Sequence, residues 1–140
     1  MSLHIHNLSK SYKQPVFRDF SISFPEDTIT CVLGPSGCGK TTLLNIIGGI
    51  IPPDSGSLEG FENKTFSYVF QEPRLLPWKT VTENIEFVLK RELHTGERKK
   101  QAVDLIRQVE LHGFAGYYPS QLSGGMRQRV SIARAFAIPS

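Results

Sequence analysis

The sequence predicts an α/β fold, and three observations carry that prediction. Period-two alternation fills residues 3–7 and 17–24, where Phe20, Ile22 and Phe24 share one side with Ser21 and Ser23 between them. From residue 80 the period becomes helical, with Val81, Ile85, Val88 and Leu89 on one stripe. Between the two stands Gly34-Pro35-Ser36-Gly37-Cys38-Gly39-Lys40-Thr41-Thr42, entered by the β-prone run Thr28–Leu33 and left by the helical run Thr42–Ile47. The expected architecture is a parallel-sheet core around that glycine-rich loop, an antiparallel β part before it and a helical part after it.

Taken in order, residues 3–7 and 17–24 form an antiparallel pair with Lys13-Gln14-Pro15 as the turn and Tyr12 within it. His4 and His6 alternate with Leu3 and Ile5 and fall on the wet face. The helix after the loop stops at Gly48-Gly49, and Pro52-Pro53-Asp54-Ser55-Gly56 is a turn. Leu58–Gly60 and Phe66–Phe70 read as short strands, the second running into Gln71-Glu72-Pro73. Thr80-Val81-Thr82-Glu83 is a capping box that opens a helix. A second helix covers about 97–109, with Ala102, Ile106 and Val109 inward. Gly113 and Gly116 break the chain. Ser123 then caps a third helix whose first turn carries Gly124 and Gly125.

The loop fits the phosphate-binding pattern G-x-x-x-x-G-K-[ST] at Gly34, Gly39, Lys40 and Thr41. Glycines let successive backbone N–H groups turn inward toward phosphate oxygens. Lys40 supplies a full charge for the β- and γ-phosphates, and the Thr41 hydroxyl is a ligand for Mg²⁺. A glycine-rich turn matches this pattern by accident roughly once in tens of thousands of windows. A nucleoside-triphosphate site is therefore expected here. Gln71 places an amide at a strand end, suited to Mg²⁺ or an attacking water, and Tyr12 can offer a ring face to adenine or simply pack. Two glycines inside a first helical turn lower helix stability, so the start at Ser123 is expected to meet an anion.

Composition narrows the classes. With 140 residues, 39% hydrophobic and 21% charged, the chain has the make-up of one globular domain. A net charge of +3 is mild, and the basic run Arg98-Lys99-Lys100 has no interleaved aromatic residue for base stacking, so no nucleic-acid partner is expected. No apolar run is long enough for a membrane span and no signal-peptide form opens the chain, which leaves any membrane role to a partner. The two cysteines, Cys31 in an expected buried strand and Cys38 in the loop, point to a reducing compartment rather than to a disulfide. The four histidines have no metal-ligand spacing.

The loop at 34–42 together with Leu122-Ser123-Gly124-Gly125-Met126-Arg127-Gln128-Arg129 resembles the ATP-binding subunit of ABC transporters. The second motif is that family's signature, and the resemblance spans the chain. It implies a phosphate-loop NTPase core, about residues 1–75, and a helical subdomain with the signature, about 76–137, in one ATP-binding domain. It implies that Tyr12 stacks on adenine, and that Gly34, Pro35, Ser36, Gly37, Cys38, Gly39, Lys40, Thr41 and Thr42 hold the nucleotide. Gln71 takes the catalytic glutamine-loop position, and Thr41 and Gln71 attend Mg²⁺. Ser123, Gly124 and Gly125 meet the γ-phosphate of the opposite protomer, so the implied unit is a head-to-tail homodimer with two ATP molecules at its interface. It works peripherally on the cytoplasmic face of the cell membrane, with transmembrane permease subunits and, indirectly, a substrate-binding protein.

The segment Gln71-Glu72-Pro73-Arg74-Leu75-Leu76-Pro77-Trp78 resembles the form in importers of the nitrate, sulfonate and taurine type. Leu75 to Trp78 either present an apolar surface to a permease helix, or Trp78 packs inside the helical part. The family pattern also continues, after Ala133-Arg134-Ala135, into an aliphatic strand ending in Asp-Glu and then a histidine. The sequence in hand stops at Ile138-Pro139-Ser140 and is read as C-terminally incomplete, lacking that catalytic strand region. Expected of it alone are poor ATP turnover and an exposed apolar sheet edge. Two alternatives stand beside the importer reading: a non-catalytic nucleotide-binding or assembly module, and a non-transport ABC ATPase.

Overall fold

The computed structural model describes residues 2–62, 64–90 and 92–138; Pro139 and Ser140 lie outside these. The chain divides into two compact units, Met1–Lys64 and Thr65–Ser140.

In the first unit, β1 (Ser2–Ser11) pairs antiparallel with β2 (Pro15–Pro25), with Leu3 opposite Phe24 and Ile5 opposite Ile22. The turn between them is closed by the Tyr12 N–H donating to the Gln14 carbonyl at 3.1 Å. A third strand, β3 (Ser55–Glu59), pairs with the other edge of β1, giving the order β2-β1-β3. Strict alternation would put Ile5 and Leu8 on opposite faces, yet both are buried. The register shifts between them, and Asn7 adopts a φ of 49°, so a bulge returns the side chains to the core. His4 and His6 lie on the wetter face as a stacked pair, His4 hydrogen-bonded to Ser23 and His6 to Glu59.

Helix α1 (Lys40–Ile47) lays Leu43 and Ile46 against Ile5, Leu8 and Phe61, with Phe17, Phe20, Ile22 and Phe24 packed around them. Each such aliphatic side chain contributes about 1.5–3 kcal/mol on full burial. The helix ends at Gly48, whose N–H returns to the last turn, and Gly49 has a φ of 66°.

The second unit is helical. Helix α2 (Val81–Leu89) opens with the expected capping box: the Thr80 hydroxyl accepts from the Glu83 N–H and the Glu83 carboxylate accepts from the Thr80 N–H. Its first turn is fastened to the chain ahead of the signature, Val81 N–H to Tyr117 O at 2.9 Å and Thr82 N–H to Ala115 O at 3.1 Å. Helix α3 (Thr95–Gln108) begins two residues before the expected start, and α4 (Gly124–Phe136) follows short turns at His112–Phe114 and Pro119–Gln121. Val81, Ile85, Leu89, Ala102, Ile106 and Val130 form the centre of the core. No helix among the described residues is long and apolar enough to cross a membrane.

Two strand expectations are corrected. Thr28–Leu33 and Phe66–Phe70 form no strand, and the sheet is wholly antiparallel among the described residues. Ile29 is fully exposed and Leu33 is 87% exposed, so Cys31 is exposed rather than buried. The reason is physical: a parallel strand is defined by neighbours on both edges and cover on both faces. Neither run belongs to the sheet of β1, β2 and β3.

Candidate functional site

The glycine-rich loop folds as the sequence requires. Gly37 and Gly39 have φ values of 81° and 101°, and Gly39 forms the N-cap of α1 in the left-handed region. No side chain caps this helix start, so its N–H groups stay available to an anion and the backbone dipole favours one. Lys40 bends back over the loop, its ammonium donating to the Gly34 carbonyl at 2.8 Å and the Pro35 carbonyl at 2.7 Å. The Cys38 sulfur lies 3.7 Å from the same nitrogen, a weak contact that a phosphate oxygen can replace. Ser36, Cys38 and Thr41 are exposed and Thr42 is half-buried.

The tip of the β1–β2 hairpin belongs to the same place. A Cβ on Gly39 would stand 2.6 Å from Val16 Cγ1 and 2.9 Å from Phe17 Cζ, so only glycine lets β2 approach the loop. Val16 also lines an open cavity of about 410 Å³ with Gln14, Pro15 and Arg18. Tyr12, three residues before that cavity's Pro15, is 63% exposed. Hairpin and loop thus gather an open aromatic ring and a phosphate cradle within one unit.

In the second unit, Gln71 is exposed, and its segment is tied to α4 on both sides. Gln128 Nε2 donates to the Phe70 carbonyl in a long contact of 3.5 Å, and Arg134 Nη1 donates to the Arg74 carbonyl at 2.9 Å. Partial burial holds the Arg134 guanidinium below its ordinary pKa. Arg74, at a φ of 40°, lays its own guanidinium over the Phe70 ring at 3.9 Å. Beyond it, the turn at 76–80 is organised by Asn84, which sequence reasoning missed. This fully buried amide accepts from the Leu76 N–H at 2.8 Å and donates to the carbonyls of Leu76, Lys79 and Thr80. The signal was present: Asn84 interrupts the apolar stripe three residues after Val81. The turn leaves Trp78 70% exposed, so it does not pack inside the helical part.

At the signature, the Ser123 hydroxyl accepts from the Met126 N–H at 3.2 Å and caps α4 as expected. Arg127, another residue whose role was not foreseen, turns back to donate to the Leu122 carbonyl at 3.0 Å and fixes the approach to the helix. Gly124 and Gly125 are exposed, and a Cβ on either would meet nothing within 4 Å. Nothing among the described residues requires glycine there, although each weakens the helix by roughly 0.5–1 kcal/mol relative to alanine. The space they leave opens outward.

The donor chemistry fits Mg²⁺ only as a metal–nucleotide complex. Among the described residues no three His, Cys, Asp or Glu side chains gather as a metal cage. Mg²⁺ takes most of its oxygens from phosphate and water, and within the first unit the exposed Thr41 hydroxyl offers one protein oxygen of the kind it accepts.

A phosphate-cradling loop at a helix start defines a phosphate-loop nucleotide-binding α/β protein. The family model described as "ABC transporter" matches residues 17–140, and the chain belongs to that family. It is 41% identical to the taurine import ATP-binding protein TauB of Yersinia pestis, over 97% of the chain and 56% of that protein. It is 46% identical to the aliphatic sulfonates import ATP-binding protein SsuB 2 of Pseudomonas syringae pv. tomato, over 85% of the chain and 49% of the relative. A dimeric post-hydrolysis structure of the ATP-binding cassette MJ0796, bound to ADP and Pi, superposes with a TM-score of 0.85 at 31% identity. That match covers 96% of the chain and 69% of the solved one. The chain spans between about two-fifths and two-thirds of the length of the curated relatives it matches.

Proposed function

We propose that the chain binds Mg·ATP as part of an ATP-hydrolysing subunit that drives solute import through transmembrane partners. The carrying observation is the Lys40 ammonium, held 2.7–2.8 Å from two loop carbonyls above an uncapped helix start. The loop N–H groups and Lys40 bind the β- and γ-phosphates, Tyr12 takes the adenine, and Thr41 and Gln71 take the magnesium ion. The metal supplies charge neutralisation on the phosphates. Ser123, Gly124 and Gly125 serve the γ-phosphate of a second copy in a head-to-tail dimer. The open space before Gly124 and Gly125 supports that role. Gln71 hears the nucleotide, and the exposed Trp78 meets the permease.

The solute assigned is a small one of the nitrate, sulfonate or taurine kind. Support comes from the names of TauB and SsuB 2 and from the wording of Gln71–Trp78. The assembly works peripherally on the cytoplasmic side of the membrane, where a substrate-binding protein acts on it only through the permease.

Titration of the chain with Mg·ATP tests the first step. Binding should be lost by about tenfold or more in Lys40→Ala, since a charge-assisted phosphate contact disappears. Equal affinity in the two proteins would reject the site.

A further inference from the structure

We propose that Asp54 is a positioning residue for the base end of the nucleotide site, acting through Lys10 and Ser11 on Tyr12. The proposal rests on the reading of Tyr12 as the adenine platform. Asp54 belongs to the turn before β3, more than forty residues from the hairpin tip, yet it closes three bonds onto the end of β1. Its Oδ1 accepts from Lys10 Nζ at 2.7 Å, its Oδ2 accepts from the Ser11 N–H at 2.7 Å, and its own N–H donates to the Ser9 carbonyl at 2.9 Å.

Tyr12 is the next residue. Its ring has the Lys10 ammonium 5.7 Å from its centroid, within the range of a cation–π contact. Lys10 therefore stands between a carboxylate and an aromatic face, and its side chain is only 12% exposed. An ammonium so enclosed needs its counter-charge; without it the side chain swings out to water and takes its ring contact with it. Tyr12, 63% exposed, has open surface for a base. Asp54 thus fixes the backbone before the ring and the cation against it. Both effects order a side chain that has few other contacts, so a base arriving there meets a ring already in place.

A purely structural Asp54, one that only holds β3 to β1, would change every ligand of the first unit alike. A base-positioning Asp54 separates ligands that carry a base from those that do not. The experiment is calorimetric titration of the full chain with Mg·ATP and, separately, with magnesium tripolyphosphate, which offers the same phosphates without adenosine. Tyr12→Ala and Asp54→Asn should each weaken ATP about five- to tenfold, as expected for a lost or misplaced stacking contact, while tripolyphosphate stays within about twofold. The double variant should bind ATP no more weakly than Tyr12→Ala alone. Lys10→Gln keeps the Asp54–Ser11 bond and should show a smaller loss confined to ATP, which carries the test if Asp54→Asn does not fold. Equal weakening of both ligands in Asp54→Asn overturns the proposal, as does no weakening of either. If Asp54→Asn is silent but Tyr12→Ala loses ATP, the platform stands and the clamp falls. If Tyr12→Ala itself leaves ATP unchanged, the platform reading falls and the clamp with it.

Discussion

Asn84 commits both ends of its amide to the turn that precedes it, touching Leu76, Lys79 and Thr80 from a position with no solvent exposure. Asn84→Ala takes the side-chain partner from the Leu76 N–H and the Lys79 carbonyl, while the Leu76 and Thr80 carbonyls keep the Lys79 and Asn84 N–H groups. It should destabilise the second unit by about 1–3 kcal/mol, read from urea denaturation. Gly125 has the opposite relation to stability. Gly125→Ala fills empty space at the start of α4 and should raise stability by about 0.5–1 kcal/mol. In the proposed head-to-tail dimer a methyl group would then stand where the partner's phosphate approaches, so ATP-dependent self-association should weaken in the same variant. A melt and sedimentation with and without ATP check both halves; a gain in stability with unchanged association would remove the signature from the interface. Of these two residues, Gly125 was legible from its motif. Asn84 was not, because a single asparagine has no spacing of its own and its meaning lies in four contacts made by the folded turn.

The elements that were legible are those fixed by neighbours in sequence. The hairpin declares itself by alternation, α1 by its glycines and apolar spacing, and α2 by a capping box that needs only Thr80 and Glu83. Thr28–Leu33 and Phe66–Phe70 were read as strands on composition, and composition cannot supply the hydrogen-bonding neighbour that makes a strand. The Asp54 clamp was also beyond sequence reading, since Pro52-Pro53-Asp54-Ser55-Gly56 announces a turn but not what that turn will grasp. Acid should act on two of these elements. Lys10 and the Ser11 N–H lower the Asp54 pKa, and the Thr80 N–H lowers that of Glu83. Each carboxylate therefore adds stability in full above its ordinary value, 3.8 for Asp54 and 4.5 for Glu83. That contribution is lost as pH falls through the lower folded value. The urea midpoint should drop on going from about pH 5 to about pH 3, and Asp54→Asn with Glu83→Gln should flatten the drop. An unchanged slope in the double variant would exclude these two groups as its source.

For the whole molecule, the exposed apolar side chains decide behaviour in solution. Ile29 is fully exposed, Leu33 is 87% exposed, and Phe136 at the end of α4 is 75% exposed. Side chains of this size in water favour association with any apolar surface on offer. The 140-residue chain should self-associate as its concentration rises, and Ile29→Lys with Leu33→Lys should shift it toward monomer. Sedimentation velocity over a concentration series gives the answer, and a monodisperse monomer of the unaltered chain would count against the expectation. Trp78 is exposed in a different setting, on a turn that the Asn84 amide ties at Leu76, Lys79 and Thr80. That difference is kinetic. In the proposed contact with a permease helix, Trp78 already stands in one shape, so the encounter rate would be set by diffusion and orientation and affinity adjusted through the lifetime of the complex. Removing the Asn84 amide would turn a ready surface into one that must be selected from many shapes, and association would slow and affinity weaken by the same factor, the fraction of turns in the competent shape.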